Sequence, residues 1–412
     1  MIEVVVAVDV EFEARVVAAL GSIADIEVVR RPADEVELLA AGAAGVGDVV
    51  VLGQDFTGAD AEVVRRLLGQ GVRVLGLAED PAVLAGWGIP AAVSPWATPE
   101  DLAAAVRAAA TAVPVPPPPA APPSAPARRQ GPVIAVWGTA GAPGRSTVAA
   151  GLAHTLGRTV GRTVLVDADT VAASQAALLG LLDDAPQLAA LCRAASSGSV
   201  AAALHRHVSV IDATLSAVTG LSRAERWPEV RPGVLGEVLT ALSGEHACTV
   251  VDVSDRIDPD DPYADPHYDR HGATRAVLDR ADHAVVVAAG DPVGLQRLVR
   301  LLETERGLAV RADCTVVVNR VRASAVGPGP EARIAATLER FAGLTDVRFL
   351  PEDRPAVDAA LLAGRIVTES APHSGLARAI DALAAALPVP RPDTPGAARR
   401  PRRGRARGRM RA

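Results

Sequence analysis

The sequence predicts an α/β protein of two doubly wound, mostly parallel sheets: a flavodoxin-like domain first and a larger domain second. Three observations predict it. Short apolar runs alternate with stretches of helical spacing through most of the chain. A proline-rich stretch cuts the alternation in two. In the second half, a small-residue turn follows the first apolar run, and several later runs end in carboxylates.

Composition bounds the answer. The 412 residues are 49% hydrophobic and 22% charged, apolar enough for buried cores and too long for one. Three cysteines exclude a disulfide scaffold and offer no zinc spacing. Their apolar neighbours predict that Cys192, Cys248 and Cys314 are buried. The acidic start Met1-Ile2-Glu3 and the lack of an apolar run of about 18 residues predict a cytoplasmic protein. All 42 basic residues are arginine, and the single asparagine is Asn319. A bias toward GC-rich codons would produce both facts, so an arginine in a lysine position need not mean lost function. Residues 391–412 carry nine arginines and one aspartate, about +8, against −6 for the whole chain. The body is therefore acidic and the tail basic.

Residues 1–112 read as alternating strands and helices. Val4–Val8, Ile26–Val29, Asp48–Leu52, Val72–Leu77 and Ala91–Val93 are strand candidates. Glu13–Leu20 and Asp101–Ala110 have helical spacing, the second opened by Thr98-Pro99-Glu100. This segment resembles a response-regulator receiver domain through Ile89-Pro90-Ala91-Ala92-Val93-Ser94-Pro95-Trp96, placed like that family's last strand and turn. Asp9 and Glu11 loosely match its acidic pair. Gly53 stands where the phosphate-accepting aspartate would end the third strand, and Ser94 where a lysine would be. The resemblance therefore implies a pseudo-receiver, used for docking or dimerisation.

Residues 113–130 form the linker, with eight prolines between positions 114 and 126, a composition suited to an extended spacer. The second domain covers 131–388, and residues 389–412 form an Arg-rich tail with too little apolar surface to fold. The buried-strand pattern Val133–Trp137 runs into Gly138-Thr139-Ala140-Gly141-Ala142-Pro143-Gly144-Arg145-Ser146-Thr147 and then an apolar helix. Small residues let backbone N–H groups curl around an anion, and a helix N-terminus adds positive partial charge. The basic residue would neutralise phosphate oxygens, and Ser146 would ligate Mg²⁺. Thr139 and Arg145 depart from the strict Gly-x4-Gly-Lys-Ser/Thr pattern. Further strands end in Asp167-Ala168-Asp169, in Asp252, in Asn319-Arg320 and in Pro351-Glu352-Asp353, where a doubly wound sheet gathers its ligand.

The pieces AGAPGRST, VLVDAD, TVVDVSD, ADHAVVVAAGDPVGLQRL, VVVNRV and LPED together resemble the ParA/MinD family of deviant P-loop ATPases over 131–388. The architecture resembles its CpaE/TadZ branch, linked to pilus assembly, and the related septum-site-determining proteins. The resemblance implies a P-loop NTPase fold and assigns roles. Gly141, Ala142, Pro143, Gly144, Arg145, Ser146 and Thr147 would wrap the phosphates of ATP. Ser146, Asp167 and Asp252 would serve Mg²⁺, and Asp169 with Arg145 the hydrolysis. Asn319 and Pro351 would meet the base.

Two departures predict slow hydrolysis. Ala140 replaces the family's second, signature lysine, and Asp252-Val253-Ser254-Asp255 replaces its Asp-x-Pro-x-Gly. Losing a cation reduces stabilisation of charge on the transferring phosphoryl group more than ground-state binding. The expected protein is an ATP-dependent homodimer that positions pilus-assembly or division machinery through protein partners. The alternatives are a non-hydrolysing scaffold and a DNA-binding partitioning ATPase. The tail offers contact with anionic lipid, at the inner face of the cell membrane, or with DNA. His267 and His271 suggest a metal pair, though prolines nearby favour a switch loop. Trp227-Pro228 is expected to open a packed helix reaching Leu242.

Overall fold

The computed structural model describes residues 1–89, 91–112, 130–141, 143–181, 186–196, 199–258, 269–304 and 314–391. The proline stretch, the arginine tail beyond Arg391, Ala142 and His267 lie outside the described residues.

Five parallel strands build the first sheet: β1 (Ile2–Ala7), β2 (Ile26–Arg30), β3 (Val49–Gly53), β4 (Arg73–Leu77) and β5 (Ala92–Val93). Their order, 2-1-3-4-5, is the flavodoxin-like one. Successive residues of β1 point to opposite faces. Val4 and Val6 pack with Val16, Leu20, Leu102 and Val106 of the helices Val10–Gly21 and Pro99–Thr111. Val5 and Ala7 pack with Leu38, Val63, Val64 and Leu67 of the helices Glu35–Ala43 and Ala61–Gly69. Both faces are covered, which is why the strands read as unbroken apolar runs. Asp34, Asp60 and Thr98 cap three of these helices through their side chains.

Eight strands build the second sheet: β6 (Val133–Gly138), β7 (Thr163–Asp167), β8 (Ser209–Val210), β9 (Leu215–Val218), β10 (Cys248–Asp252), β11 (His283–Ala289), β12 (Cys314–Val321) and β13 (Val347–Pro351). Their order is 13-12-11-6-10-7-9-8, parallel except for the β8–β9 pair. Val133, Ala135 and Trp137 enter one core, and Ile134 and Val136 the other. The chain leaves β6 for β7 on one side and later crosses to β11 on the other. The C-terminal end of β6 is therefore the point where the winding reverses and a crevice opens.

Two expectations are corrected. The helix after Trp227 starts at Pro232, with a 3₁₀ segment Ala224–Glu229 before it. A helix begun at Pro228 would put Pro232 in its second turn, where the ring clashes and donates no hydrogen bond. At position 232 the same proline sits in the first turn, where its missing N–H costs nothing. Cys314 is half-buried, because it opens β12 near the sheet margin, whereas Cys192 and Cys248 are buried. Burial pushes both of those thiols up to about 12, so they stay protonated. The edge strands β8 and β9 were not legible in the sequence, being two and four residues long.

Residues of the two sheets' layers meet at Arg231, which precedes the helix Pro232–Glu245. Its guanidinium donates to Asp60 Oδ2 at 2.8 Å, Gly58 O at 3.3 Å and Glu35 Oε1 at 3.4 Å. Among the described residues, no helix is long and apolar enough to cross a membrane.

Candidate functional site

The turn Gly138–Gly144 passes close to β11 before entering the helix Arg145–Thr159. Thr139 N donates to Val287 O at 3.0 Å, and a Cβ on Gly138 would lie 2.0 Å from that same oxygen. Gly141 and Gly144 take φ values of +95° and +94°, which side-chain-bearing residues rarely adopt. Gly144 is the N-cap, no side chain caps the helix, and its first turn holds no acid. The N–H groups and positive dipole of this helix end are thus not pre-empted by a carboxylate of its own.

Opposite the turn stand the strand-end carboxylates. Asp252 of β10 and Asp167 of β7 are register partners, and each is 1% exposed. Asp167 Oδ2 accepts from Ser174 N and Gln175 N at 2.8 Å each, and Oδ1 accepts from Asp169 N at 3.2 Å. Burial, followed by the charge of Asp252, pushes Asp167 up to about 8 against those backbone donors. Asp252 Oδ2 accepts from Gln175 Nε2 at 2.8 Å. Burial pushes Asp252 up to about 6, while the neighbouring Ser146 hydroxyl holds it down. Its Oδ1 is buried and accepts no hydrogen bond. Asp169 Oδ1 accepts from Val171 N and Ala172 N at 2.9 Å each, so its orientation is fixed.

Arg145 lies across this cluster rather than out of the turn. Its Nη1 donates to Thr139 O at 3.1 Å, Nε to Val253 O at 3.2 Å and Nη2 to Asp255 Oδ1 at 3.4 Å. Asp169 Oδ2 lies 3.7 Å from the same Nη2. The side chain is 12% exposed and links the turn to the segment after β10.

On the other side of the turn, Gly144, Thr147, Asn319, Arg320, Pro351 and Asp353 help line a cleft of about 350 Å³. Asn319 Nδ2 donates to Pro143 O at 2.8 Å, so this amide braces the turn as well as facing the cleft. Arg320, the non-glycine residue at positive φ among the described residues, follows at +58°. The β12–β13 register shifts between Val318 and Val321. Such strain is held where surrounding structure over-determines it, often at functional sites.

The geometry thus brings together Gly141, Pro143, Gly144, Arg145, Ser146, Thr147, Asp167, Asp169, Asp252, Asn319 and Pro351. Two further residues, Gln175 and Arg297, belong here that sequence reasoning missed. Gln175 is 1% exposed, and its Nε2 bridges Asp252 Oδ2 and, at 3.1 Å, Ser146 O. Its signal was faint: a glutamine in an otherwise apolar turn. Arg297 reaches the turn from the helix Pro292–Glu303.

Among the described residues, no three His, Cys, Asp or Glu side chains form a metal cage. Mg²⁺ needs none, because it keeps several waters and takes one or two carboxylates plus phosphate oxygens. The Asp252 carboxylate, with its partnerless Oδ1, and the neighbouring Ser146 hydroxyl are a donor set of that kind. In the first sheet, Asp9, Glu11, Gly53, Asp55 and Trp96 help line a separate cleft of about 270 Å³. There Asp9 caps a helix by accepting from Glu11 N at 2.9 Å.

The sequence from 134 to 361 matches the CobQ/CobB/MinD/ParA nucleotide binding domain, a span running from β6 through the helix Arg354–Leu362. The chain belongs to that family. Among solved structures it is similar to a ParA family ATPase from Chlorobium tepidum TLS, at 20% identity and a TM-score of 0.51, over 62% of this chain and 99% of that one. It is also similar to the cell division ATPase MinD of Pyrococcus furiosus, at 22% identity and a TM-score of 0.48, over 62% and 97% of the two chains. No curated protein matches the chain at a significant level. At 20% identity the likeness to the Chlorobium tepidum structure speaks for the fold, and the family model for a nucleotide-binding domain.

Proposed function

We propose that this protein binds ATP with Mg²⁺ in the crevice at the end of β6 and uses the bound state to switch its association with itself and with partners. One observation carries the reading most. A helix end without a side-chain cap faces two register-matched buried aspartates, one with an oxygen lacking any hydrogen bond. A triphosphate answers the helix end, and a divalent cation answers the aspartates. When bound, Mg²⁺ would neutralise charge on the phosphoryl oxygens. Ser146 and Asp252 would hold the ion, Asp167 would order its water shell, and Asp169 would orient the attacking water. Asn319 and Pro351 would border the base.

In this reading hydrolysis is slow. Arg145 divides its charge between Asp169 and Asp255, and Ala140 adds none. The cellular role follows the resemblance: a homodimer of the CpaE/TadZ type, carrying a pseudo-receiver in 1–112 joined by 113–130 to the ATPase domain 131–388. It would localise pilus-assembly or septum-site machinery in the cytoplasm, at the inner face of the membrane when the tail 389–412 meets anionic lipid. A second reading, a scaffold that binds nucleotide without turnover, is favoured by the engagement of Arg145 on two backbone carbonyls.

Calorimetric titration of ATP with and without Mg²⁺, then phosphate release by wild type and Asp169→Ala, tests both readings. Mg²⁺-dependent binding with turnover lost in Asp169→Ala supports the enzyme. Binding with equal background release in both supports the scaffold. No binding removes the nucleotide reading altogether.

A further inference from the structure

The strand-end cluster is rich in negative charge and poor in uncommitted positive charge. Asp167, Asp169, Asp252 and Asp255 surround the turn, and Arg145 is already shared between two of them. A nucleoside triphosphate brought here needs a cation that these carboxylates do not already hold.

Arg297 meets that need. It lies on the helix Pro292–Glu303, which follows β11 and is capped by Asp291 accepting from Gly294 N at 2.8 Å. Its side chain leaves that helix for the phosphate turn, where Nη1 donates to Ala140 O at 3.1 Å. A Cβ on Gly141 would stand 2.1 Å from Nη1, so the glycine makes room for the guanidinium as well as for the +95° backbone. Arg297 is exposed, and among the described residues Ala140 O is its one hydrogen-bond partner. A guanidinium carries five N–H donors, so most remain for an anion in a planar fork that suits phosphoryl oxygens.

We propose that Arg297 is the phosphate-binding cation of this site. Parked on the Ala140 carbonyl without ligand, it pairs with the terminal phosphoryl oxygens of a nucleoside triphosphate seated on its own chain's turn. Arg145 is then left to tie the turn to the segment after β10. This inference rests on the nucleotide reading above.

The test uses the full chain with Mg²⁺, fluorescent ATP and fluorescent AMP, comparing wild type, Arg297→Ala and Arg297→Lys, with Asp252→Asn as the separate control of the nucleotide site. For Arg297→Ala we expect ATP affinity to fall by about tenfold or more, the loss of a charge-assisted contact, with an unchanged thermal midpoint. AMP, lacking the outer phosphates, should bind with little change, and Arg297→Lys should recover part of the ATP loss. Equal weakening of AMP and ATP would mean that Arg297 merely holds Ala140 in place, and would overturn the proposal. So would unchanged ATP binding in Arg297→Ala while Asp252→Asn loses it; in that case the nucleotide site stands without Arg297. If wild type binds no ATP, the site itself fails and the proposal with it.

Discussion

Asp167 and Asp252 face each other across β7 and β10 as register partners, both buried, and both held by the one residue Gln175. Two carboxylates taken out of water side by side disfavour each other's ionisation. Asp167 rises to about 8 and Asp252 to about 6, burial being the larger cause for each. Their unfolded values lie near 4. Between those limits the folded chain holds protons that the unfolded chain has released, so stability falls as pH rises. The thermal midpoint of the nucleotide-free protein should therefore drop from pH 5 toward pH 8 by more than in Asp252→Asn. Mg²⁺ with ATP, which binds the charged forms, should restore it at pH 8. A midpoint that is flat with pH in wild type would contradict this assignment.

Gln175 offers a second measurement. It is buried, and its amide bonds Asp252 Oδ2 and Ser146 O at once. Gln175→Leu keeps much of the volume and takes a donor from the buried Asp252 carboxylate, a cost of about 1–3 kcal/mol, while Ser146 O keeps its place in the helical ladder. Urea unfolding should show a loss in that range, and Mg²⁺-dependent ATP binding should weaken because the Asp252 carboxylate is no longer oriented. An unchanged urea midpoint would mean that water replaces the amide without penalty.

Much of this was legible beforehand, for identifiable reasons. Strands covered on both faces leave unbroken apolar runs, so β1, β3, β6, β7 and β10 could be read directly. Asp167, Asp252 and Asn319 could be read because each closes or nearly closes such a run. Gln175 and Arg297 could not. Each acts across the fold, 77 residues from Asp252 in one case and 157 from Ala140 in the other, and no local periodicity marks them. The engagement of Arg145 was hidden as well, since sequence gives the charge at a position and not which carboxylates and carbonyls claim it.

Gly144 and Asn319 make a third prediction. A Cβ at Gly144 would lie 2.5 Å from Asn319 Nδ2, and the backbone there sits at φ +94°. Gly144→Ala should displace the Asn319 amide from Pro143 O and cost about 1–2 kcal/mol of backbone strain. Loss of ATP affinity in Gly144→Ala, matched by Asn319→Ala, would show that the two act through the same brace. A normal affinity in Asn319→Ala would detach the amide from the site.

Arg231 links the two sheets' layers through Asp60, Glu35 and the Gly58 carbonyl. Asp60 is 3% exposed and also caps the helix Ala61–Gly69, so removing the guanidinium leaves a nearly buried carboxylate with only its cap bonds. Arg231→Ala should lower stability by about 1–3 kcal/mol and separate one urea transition into two. A single, merely shifted transition would mean that the contact does not couple the sheets.

The last prediction concerns how fast the site can turn over. Arg145 is held by Thr139 O, Val253 O, Asp255 and Asp169, and a planar guanidinium suits that fork better than an ammonium would. Arg145→Ala should abolish ATP binding if its charge serves the nucleotide, and should also leave Asp169 a buried carboxylate without its counter-ion. A paired change, Arg145→Lys with Ala140→Lys, puts two compact and freely turning cations at the turn, one of them where the chain now has none. If the missing cation limits hydrolysis, phosphate release by the double variant should exceed wild type by about tenfold or more, since stabilising charge on the transferring phosphoryl group is most of this catalysis. If release stays at the wild-type level while ATP still binds, the limit lies after β10, in Asp252-Val253-Ser254-Asp255, where the segment that Arg145 grips would have to move.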